Sequence, residues 1–208
     1  IPMSKSGFKI IDSDIHIMEP PDLWDRYLDA PFRGRVKGTY EFVEDMRVSI
    51  DGTTMPTLIA TPERRATKEM KRTEIVYSRF AQGGWTPELQ LEAMDAEGVD
   101  IAMLYPSRGL FAQSIDNMDP ELGYAIARAY NNWLYDFCQV NPQRLLGAGM
   151  ISPFNIAGSV NEIHRCVKEL GFKSMFLRPN PVNGRNWYDE YYEPLWSTLE
   201  ELNTPLGF

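Results

Sequence analysis

The chain has 208 residues, of which 43% are hydrophobic and 12% aromatic. This is enough apolar material for a sizeable core, so a disordered chain is not expected. The formal net charge of -8 at pH 7 argues against nucleic acid or an anionic membrane as a partner. We expect neither a membrane span nor a signal peptide. Cys138 and Cys166 fall in predicted helices, and we expect buried thiols rather than a disulfide, as in a cytoplasmic protein.

The first predicted element is a buried strand over residues 8–17, FKIIDSDIHI. Its apolar positions are interrupted by polar ones, which is typical of a strand that ends in an active site. Residues 18–85 are predicted to be an insertion after this strand. Within the insertion, residues 37–60 predict a hairpin that turns at Asp51-Gly52, and residues 61–84 predict a loop with a surface helix.

A regular alternation of helices and strands follows the insertion. Thr86-Pro87 and Asp119-Pro120 are typical of helix starts, because a capping side chain precedes a proline at the first helical position. Helices between strands at this spacing imply parallel β-α-β units. The predicted order is a helix ending at Gly98, strand 100–107, a helix from Asp119 to about Asn141, strand 144–153, helix 158–171, strand 172–180, helix 189–203 and the start of a strand at 204–208.

Two architectures fit this alternation, a doubly wound open sheet and a (β/α)8 TIM barrel. No G-x-G-x-x-G or P-loop motif follows a predicted strand, which weakens the nucleotide-binding open sheet. Functional residues of a barrel lie at the carboxyl ends of its strands. We therefore predict an α/β fold in which residues 1–208 are a single incomplete TIM-barrel domain, covering roughly strands one to five. The predicted strand ends carry Asp14, His16, Ser107, Ser152, Arg178 and Asn180.

Asp14 and His16 are the candidate metal ligands. They alternate along the predicted first strand, so both side chains point to the same face. If that face is the barrel interior, the pair can hold one divalent ion, and imidazole with carboxylate suits Zn²⁺ as well as Mn²⁺ or Fe²⁺. The spacing taken alone slightly favours another interpretation, in which Asp14 caps a turn and His16 is a structural histidine of the core.

Three stretches resemble the amidohydrolase superfamily, and within it the branch of aminocarboxymuconate-semialdehyde, resorcylate and vanillate-type decarboxylases. IIDSDIHIMEP resembles the branch's metal-binding first strand, TPELQLEAMDAEGVDIAMLYP its first barrel helix and second strand, and NPQRLLGAGMISP its third strand. The resemblance implies that Asp14 and His16 bind one divalent metal ion, for which we expect Zn²⁺. It places the remaining ligands, a histidine and an aspartate, and the general acid or base beyond Phe208. Family members often form dimers, so a homodimer is a further expectation.

Three other residues are candidates for the same site. Glu19 is a candidate hydrogen-bond partner of the metal-bound imidazole, although a solvated loop carboxylate explains it equally well. Arg178, at a predicted strand end, is a candidate for binding a substrate carboxylate through its two parallel N–H groups, with a surface ion pair as the alternative. Arg47, in the predicted hairpin, is a candidate anion clamp, although an exposed hairpin arginine is the simpler interpretation.

The function that the resemblance implies is non-oxidative decarboxylation of a small aromatic or unsaturated carboxylic acid. The first alternative is a metal-dependent hydrolase of an amide, lactone, ester or thioester, in which the metal activates a water molecule. The same first-strand pair serves both reactions, so the sequence does not decide between them. A further alternative is a half-barrel fragment without catalytic activity.

Overall fold

The structure, a computed structural model, describes residues 7–20, 22–39, 47–55 and 83–208. None of the helices in these ranges is long and apolar enough to cross a membrane. The strands are β1 (Ile11–Ile17), β2 (Val36–Thr39), β3 (Arg47–Ile50), β4 (Thr53–Met55), β5 (Ile101–Pro106), β6 (Leu145–Met150), β7 (Ser174–Phe176) and β8 (Leu206–Gly207). The α-helices are α1 (Leu23–Tyr27), α2 (Pro87–Glu97), α3 (Pro120–Cys138), α4 (Ile156–Lys168) and α5 (Glu193–Glu201).

The larger sheet has five parallel strands in the order β1-β5-β6-β7-β8. One helix among α2 to α5 lies between each pair of consecutive strands in this order. These are five strands of a (β/α)8 barrel, as the sequence predicts. The last two are shorter than predicted, with three residues in β7 and two in β8.

The predicted helix starts are confirmed by their caps. The Thr86 side chain accepts a hydrogen bond from the backbone N–H of Leu89, and Asp119 accepts one from the N–H of Glu121. Gly98 ends α2 with a φ of 74°, a left-handed conformation that glycine adopts without steric cost. These caps therefore determine where α2 and α3 begin and where α2 ends.

The smaller sheet is antiparallel, in the order β2-β3-β4, and comes from the predicted insertion. Asp51 and Gly52 connect β3 to β4 with φ values of 48° and 81°, as a two-residue hairpin turn requires. The predicted turn is therefore confirmed. The predictions for residues 40–46 and 56–82 lie outside the described residues.

Arg35 attaches this small sheet to the barrel. Its guanidinium donates two hydrogen bonds of 2.8 Å to the carboxylate of Asp51 and one of 2.9 Å to Asp119, the N-cap of α3. These hydrogen bonds lower the pKa of both carboxyl groups. Carboxyl groups with a lowered pKa stabilise the folded state above their ordinary pKa, and this contribution is lost as the pH falls through the lowered value.

We expect Arg35→Gln to lower the free energy of unfolding by about 1 kcal/mol at pH 7, because partly exposed ion pairs contribute little each. The difference from the wild type should shrink as the pH falls below about 4, where unfolded carboxyl groups become protonated. Chemical denaturation at both pH values measures it. Arg26→Gln, which removes an exposed pair with Asp22, is the control and should change less. An Arg35→Gln variant as stable as the wild type at pH 7 would contradict this role.

Candidate metal and substrate site

The end of β1 contains a bulge that redirects its side chains. The register of β1 against β5 shifts between Asp12 and Ile15, and the backbone N–H of Asp14 donates to the Asp12 carboxylate over 3.0 Å. Bulges of this kind turn a side chain towards a new direction. Asp14 lies within the bulge and His16 follows it, and both line a depression at the carboxyl ends of the parallel strands.

The ring of His16 is held by a hydrogen bond to the neighbouring strand. Its Nδ1 lies 2.6 Å from the carbonyl oxygen of Pro106, the last residue of β5. A carbonyl oxygen only accepts hydrogen bonds, so we assign the proton to Nδ1. The lone pair is then on Nε2, the ring nitrogen that remains available to a metal ion.

Asp14 and His16 fit the requirements of a divalent metal ion. His16 Nε2 lies 3.7 Å from Asp14 Oδ1, and the two side chains are 45% and 80% exposed. One ion at about 2.0–2.2 Å from each atom can bridge this distance. No group of three or more histidine, cysteine or acidic side chains suited to a metal occurs within the described ranges. Asp14 and His16 are therefore a candidate pair of ligands rather than a complete metal site within these ranges.

The depression next to this pair has a volume of about 290 Å³ and is lined by both polar and aromatic side chains. Asp14, His16 and Arg178 provide charged or ionisable groups, whereas Tyr105 and Phe176 provide aromatic surface. The two aromatic rings meet edge to face with centroids 6.0 Å apart. Such a cavity suits a flat, largely apolar molecule with an anionic group at one end.

Arg178, two residues beyond β7, lines this depression and has one hydrogen-bond donor without a partner. Its Nε donates to Asn180 over 3.2 Å, and its guanidinium lies 4.5 Å from the ring centroid of Phe111. Its Nη1 is buried and has no hydrogen-bond partner, and burial lowers the pKa of Arg178. An unpaired buried donor is unfavourable, and a ligand carboxylate would satisfy it.

The structure does not place Arg47 among the residues that line the depression. Arg47 is the first residue of β3 and pairs with Thr39 of β2. Its placement therefore gives no support to the predicted role as an anion clamp.

Glu19 does not have the partner that the sequence suggested. The hydrogen bond from His16 Nδ1 goes to Pro106, whereas the Glu19 carboxylate accepts the backbone N–H groups of Ser107, Arg108 and Gly109. The structure therefore gives no support to the predicted pairing of Glu19 with His16, since both carboxylate oxygens accept backbone N–H groups. Burial raises the pKa of Glu19, whereas hydrogen bonds from backbone N–H groups, including those of Gly109 and Arg108, lower it.

Sequence reasoning missed the aromatic side of the depression. Tyr105 and Phe176 lie near the ends of β5 and β7, and Phe111 lies in a short 3-10 helix after β5. The position of Tyr105 next to Pro106 at the end of a predicted strand was an available signal. The sequence did not indicate that Phe111 lines the depression, because its position depends on the path of the chain after β5.

Comparison with known proteins places this chain in a family. A family model described as "Amidohydrolase" matches residues 11–208. A 2-amino-3-carboxymuconate-6-semialdehyde decarboxylase from Dictyostelium discoideum is 27% identical over 121 residues, which are 57% of this chain and 32% of that protein. A 2-keto-4-carboxy-3-hexenedioate hydratase from Sphingobium is 28% identical over 123 residues, which are 56% of this chain and 36% of that protein.

Among solved structures, a 5-carboxyvanillate decarboxylase from Novosphingobium aromaticivorans is 26% identical, with a TM-score of 0.62. The match covers 97% of this chain and 50% of that one, which was solved with manganese and 4-hydroxy-3-methoxy-5-nitrobenzoic acid. The chain thus spans about a third of the length of the relatives above and half of this structure.

We expect His16→Ala to weaken binding of Mn²⁺ or Zn²⁺ by the full-length protein by about 100-fold or more, because a metal ligand is lost and losing even the hydrogen-bond partner of a ligand costs about 10–100-fold. Titration with either ion and metal analysis of the purified protein measure this. His164→Ala is the matched control, since His164 is the other of the two histidines and lies in α4. Equal metal content in His16→Ala and wild-type protein would contradict the assignment.

Proposed function

The chain belongs to the amidohydrolase family, and from this premise we propose that it forms part of a metal-dependent, non-oxidative decarboxylase. The proposed substrate is a small aromatic or unsaturated carboxylic acid. Two relatives support this class of reaction, since one is named as a carboxymuconate-semialdehyde decarboxylase and the other as a carboxyvanillate decarboxylase. Because the chain spans only part of each relative, the activity of the whole protein is inferred.

The observation that carries the proposal is the position of Arg178 relative to the metal ligands. Arg178 lines the same depression as Asp14 and His16, and its buried Nη1 has no hydrogen-bond partner. A guanidinium of this kind binds a carboxylate with charge-assisted hydrogen bonds. The site therefore combines a cation-binding pair, an anion-binding group and aromatic walls, the three features that a small carboxylated ring needs.

In this proposal each group has a separate task. Arg178 orients the acid, and Tyr105 and Phe176 hold its flat body and exclude water. His16, fixed by Pro106, offers Nε2 in one orientation. A bound divalent ion would supply positive charge that stabilises the electron pair left behind on carbon. The C–C bond to the carboxylate breaks, CO₂ leaves, and a proton takes its place on the carbon. We expect the proton donor to lie beyond Phe208.

The identity of the metal ion is a finer part of the proposal. The related decarboxylase was solved with manganese, whereas an imidazole and a carboxylate suit Zn²⁺ as well as Mn²⁺. We keep Zn²⁺ as the expectation from ligand chemistry and Mn²⁺ as the expectation from the relative. Activity of the metal-free protein restored by each ion in turn decides between them.

We also propose a reducing compartment such as the cytoplasm. Cys138 and Cys166 are both buried free thiols. Burial raises the pKa of Cys138 to about 12 and that of Cys166 well above its usual value. Such thiols stay protonated and unreactive, which fits a structural role in the core. Free thiols rather than a disulfide are expected in a reducing compartment.

Addition of water is the second candidate reaction, since one relative is named as a hydratase. Hydrolysis of an amide, lactone, ester or thioester remains the broader alternative. The product distinguishes them. We expect the full-length protein to release CO₂ from 5-carboxyvanillate or a related aromatic acid. Addition of water to an unsaturated acid, or cleavage of an ester or lactone panel, without CO₂ release from any acid would contradict the decarboxylase.

We expect Arg178→Gln to raise the KM for the acid at least 10-fold, because each charge-assisted hydrogen bond contributes about 1.5–3 kcal/mol. Arg178→Lys should recover part of the loss, since it restores charge without the planar pair of donors. Steady-state kinetics measures both variants. Arg185→Gln is the control, because Arg185 is exposed and pairs with Asp189. An unchanged KM in Arg178→Gln would show that the acid binds elsewhere.

A further inference from the structure

Glu19 is an unusual carboxylate, because it is almost fully buried and both of its oxygens accept hydrogen bonds from backbone N–H groups. It is 1% exposed. Its Oε1 accepts the N–H groups of Ser107 and Gly109 over 3.1 and 2.9 Å, and its Oε2 accepts that of Arg108 over 2.7 Å. Its own carbonyl oxygen accepts a further hydrogen bond from Arg108 Nη1 over 2.8 Å. One side chain after β1 therefore binds three consecutive residues after β5.

The segment that Glu19 binds, residues 106–111, contacts both functional parts of the depression. At one end, the carbonyl oxygen of Pro106 fixes the ring of His16. At the other end, the Phe111 ring lies against the guanidinium of Arg178. The metal ligand and the anion-binding group are thus both oriented by one short stretch of backbone.

Gly109 shows how closely Glu19 fits this segment. A Cβ atom at Gly109 would lie 2.9 Å from Glu19 Oε1 and 3.3 Å from Cβ of Pro106. A side chain there would push the carboxylate away from the amides that it accepts. The contact therefore depends on glycine on one side and on a long acidic side chain on the other.

We propose that Glu19 is a positioning residue that couples the metal pair to the anion-binding group by fixing residues 106–111. It touches neither the metal nor the acid and acts through Pro106 on His16 and through Phe111 on Arg178. This inference rests on the proposed function, because it assigns Glu19 to the same site.

The chemistry of the acceptor makes the proposal testable with a substitution of nearly equal size. A carboxylate offers two acceptor oxygens, whereas a glutamine amide offers one oxygen and one NH₂ donor. In either amide orientation, the NH₂ of Glu19→Gln faces at least one backbone N–H. A buried donor then loses its partner, and residues 106–111 should shift or become mobile.

The experiment compares Glu19→Gln with wild-type full-length protein. We expect faster amide hydrogen exchange at residues 107–109. We expect Mn²⁺ binding about 10-fold weaker, as for other losses around a metal ligand, and a dissociation constant for benzoate that rises at least 5-fold in the Mn²⁺-loaded protein. Benzoate serves as a non-reacting carboxylate probe. In turnover, KM should rise more than kcat falls.

Glu162→Gln is the matched control for loss of a buried carboxylate. Glu162 is 2% exposed and accepts hydrogen bonds from Asn131 and Arg165, away from the depression. It should lower the melting temperature at least as much as Glu19→Gln, yet change both dissociation constants less than 2-fold. If the two variants weaken Mn²⁺ and benzoate binding equally, the effect of Glu19 is merely structural and the proposal is overturned.

Phe111→Leu tests the path from Glu19 to Arg178. If Glu19 acts through Phe111, the double variant should lose less benzoate-binding free energy than Glu19→Gln and Phe111→Leu lose in sum. Such non-additivity is typical of coupled residues. Additive effects would overturn this path, as would wild-type binding constants in Glu19→Gln. Wild-type protein that binds neither Mn²⁺ nor benzoate would instead contradict the proposed function itself, and the inference would fall with it.

Discussion

The site depends on one hydrogen bond between the first two strands of the parallel sheet. His16 Nδ1 and the carbonyl oxygen of Pro106 lie 2.6 Å apart, and this contact joins the end of β1 to the end of β5. It sets the tautomer of the ring and leaves Nε2 beside the Asp14 carboxylate. Without it, the His16 ring would sample many orientations at an exposed strand end, and the loss of that freedom would oppose binding of the proposed metal ion. Because the hydrogen bond forms when the protein folds, this conformational entropy is lost before a metal ion binds.

Residues 106–111 also contact Arg178, whose buried and unpaired donor is electrostatically unfavourable. Arg178 keeps a buried donor without a partner and has a lowered pKa. Sites that recognise small ligands commonly hold a few polar groups in this way within an apolar cavity. The Phe111 ring faces the guanidinium at 4.5 Å and compensates part of its lost hydration.

The sequence predicted the fold better than it predicted the contacts of the site. Proline and capping residues at Thr86 and Asp119 are local signals, so the helix starts could be read directly. The pair Asp14 and His16 could be found from spacing and resemblance. The partner of His16 could not, because it is a backbone carbonyl 90 residues away, which carries no residue-type signal. The partners of Glu19 could not be predicted for the same reason, since they are backbone amides. The role of Arg47 remains a prediction that its position does not support.

The most direct test of the account is a crystal structure of the full-length protein with Mn²⁺ and 4-hydroxy-3-methoxy-5-nitrobenzoic acid. Anomalous scattering locates the metal independently of the protein coordinates. The account predicts an ion bound by His16 Nε2 and Asp14, with an acidic group of the ligand hydrogen-bonded to Arg178 Nη1. An ion bound elsewhere, or a ligand whose acidic groups do not reach Arg178, would contradict it.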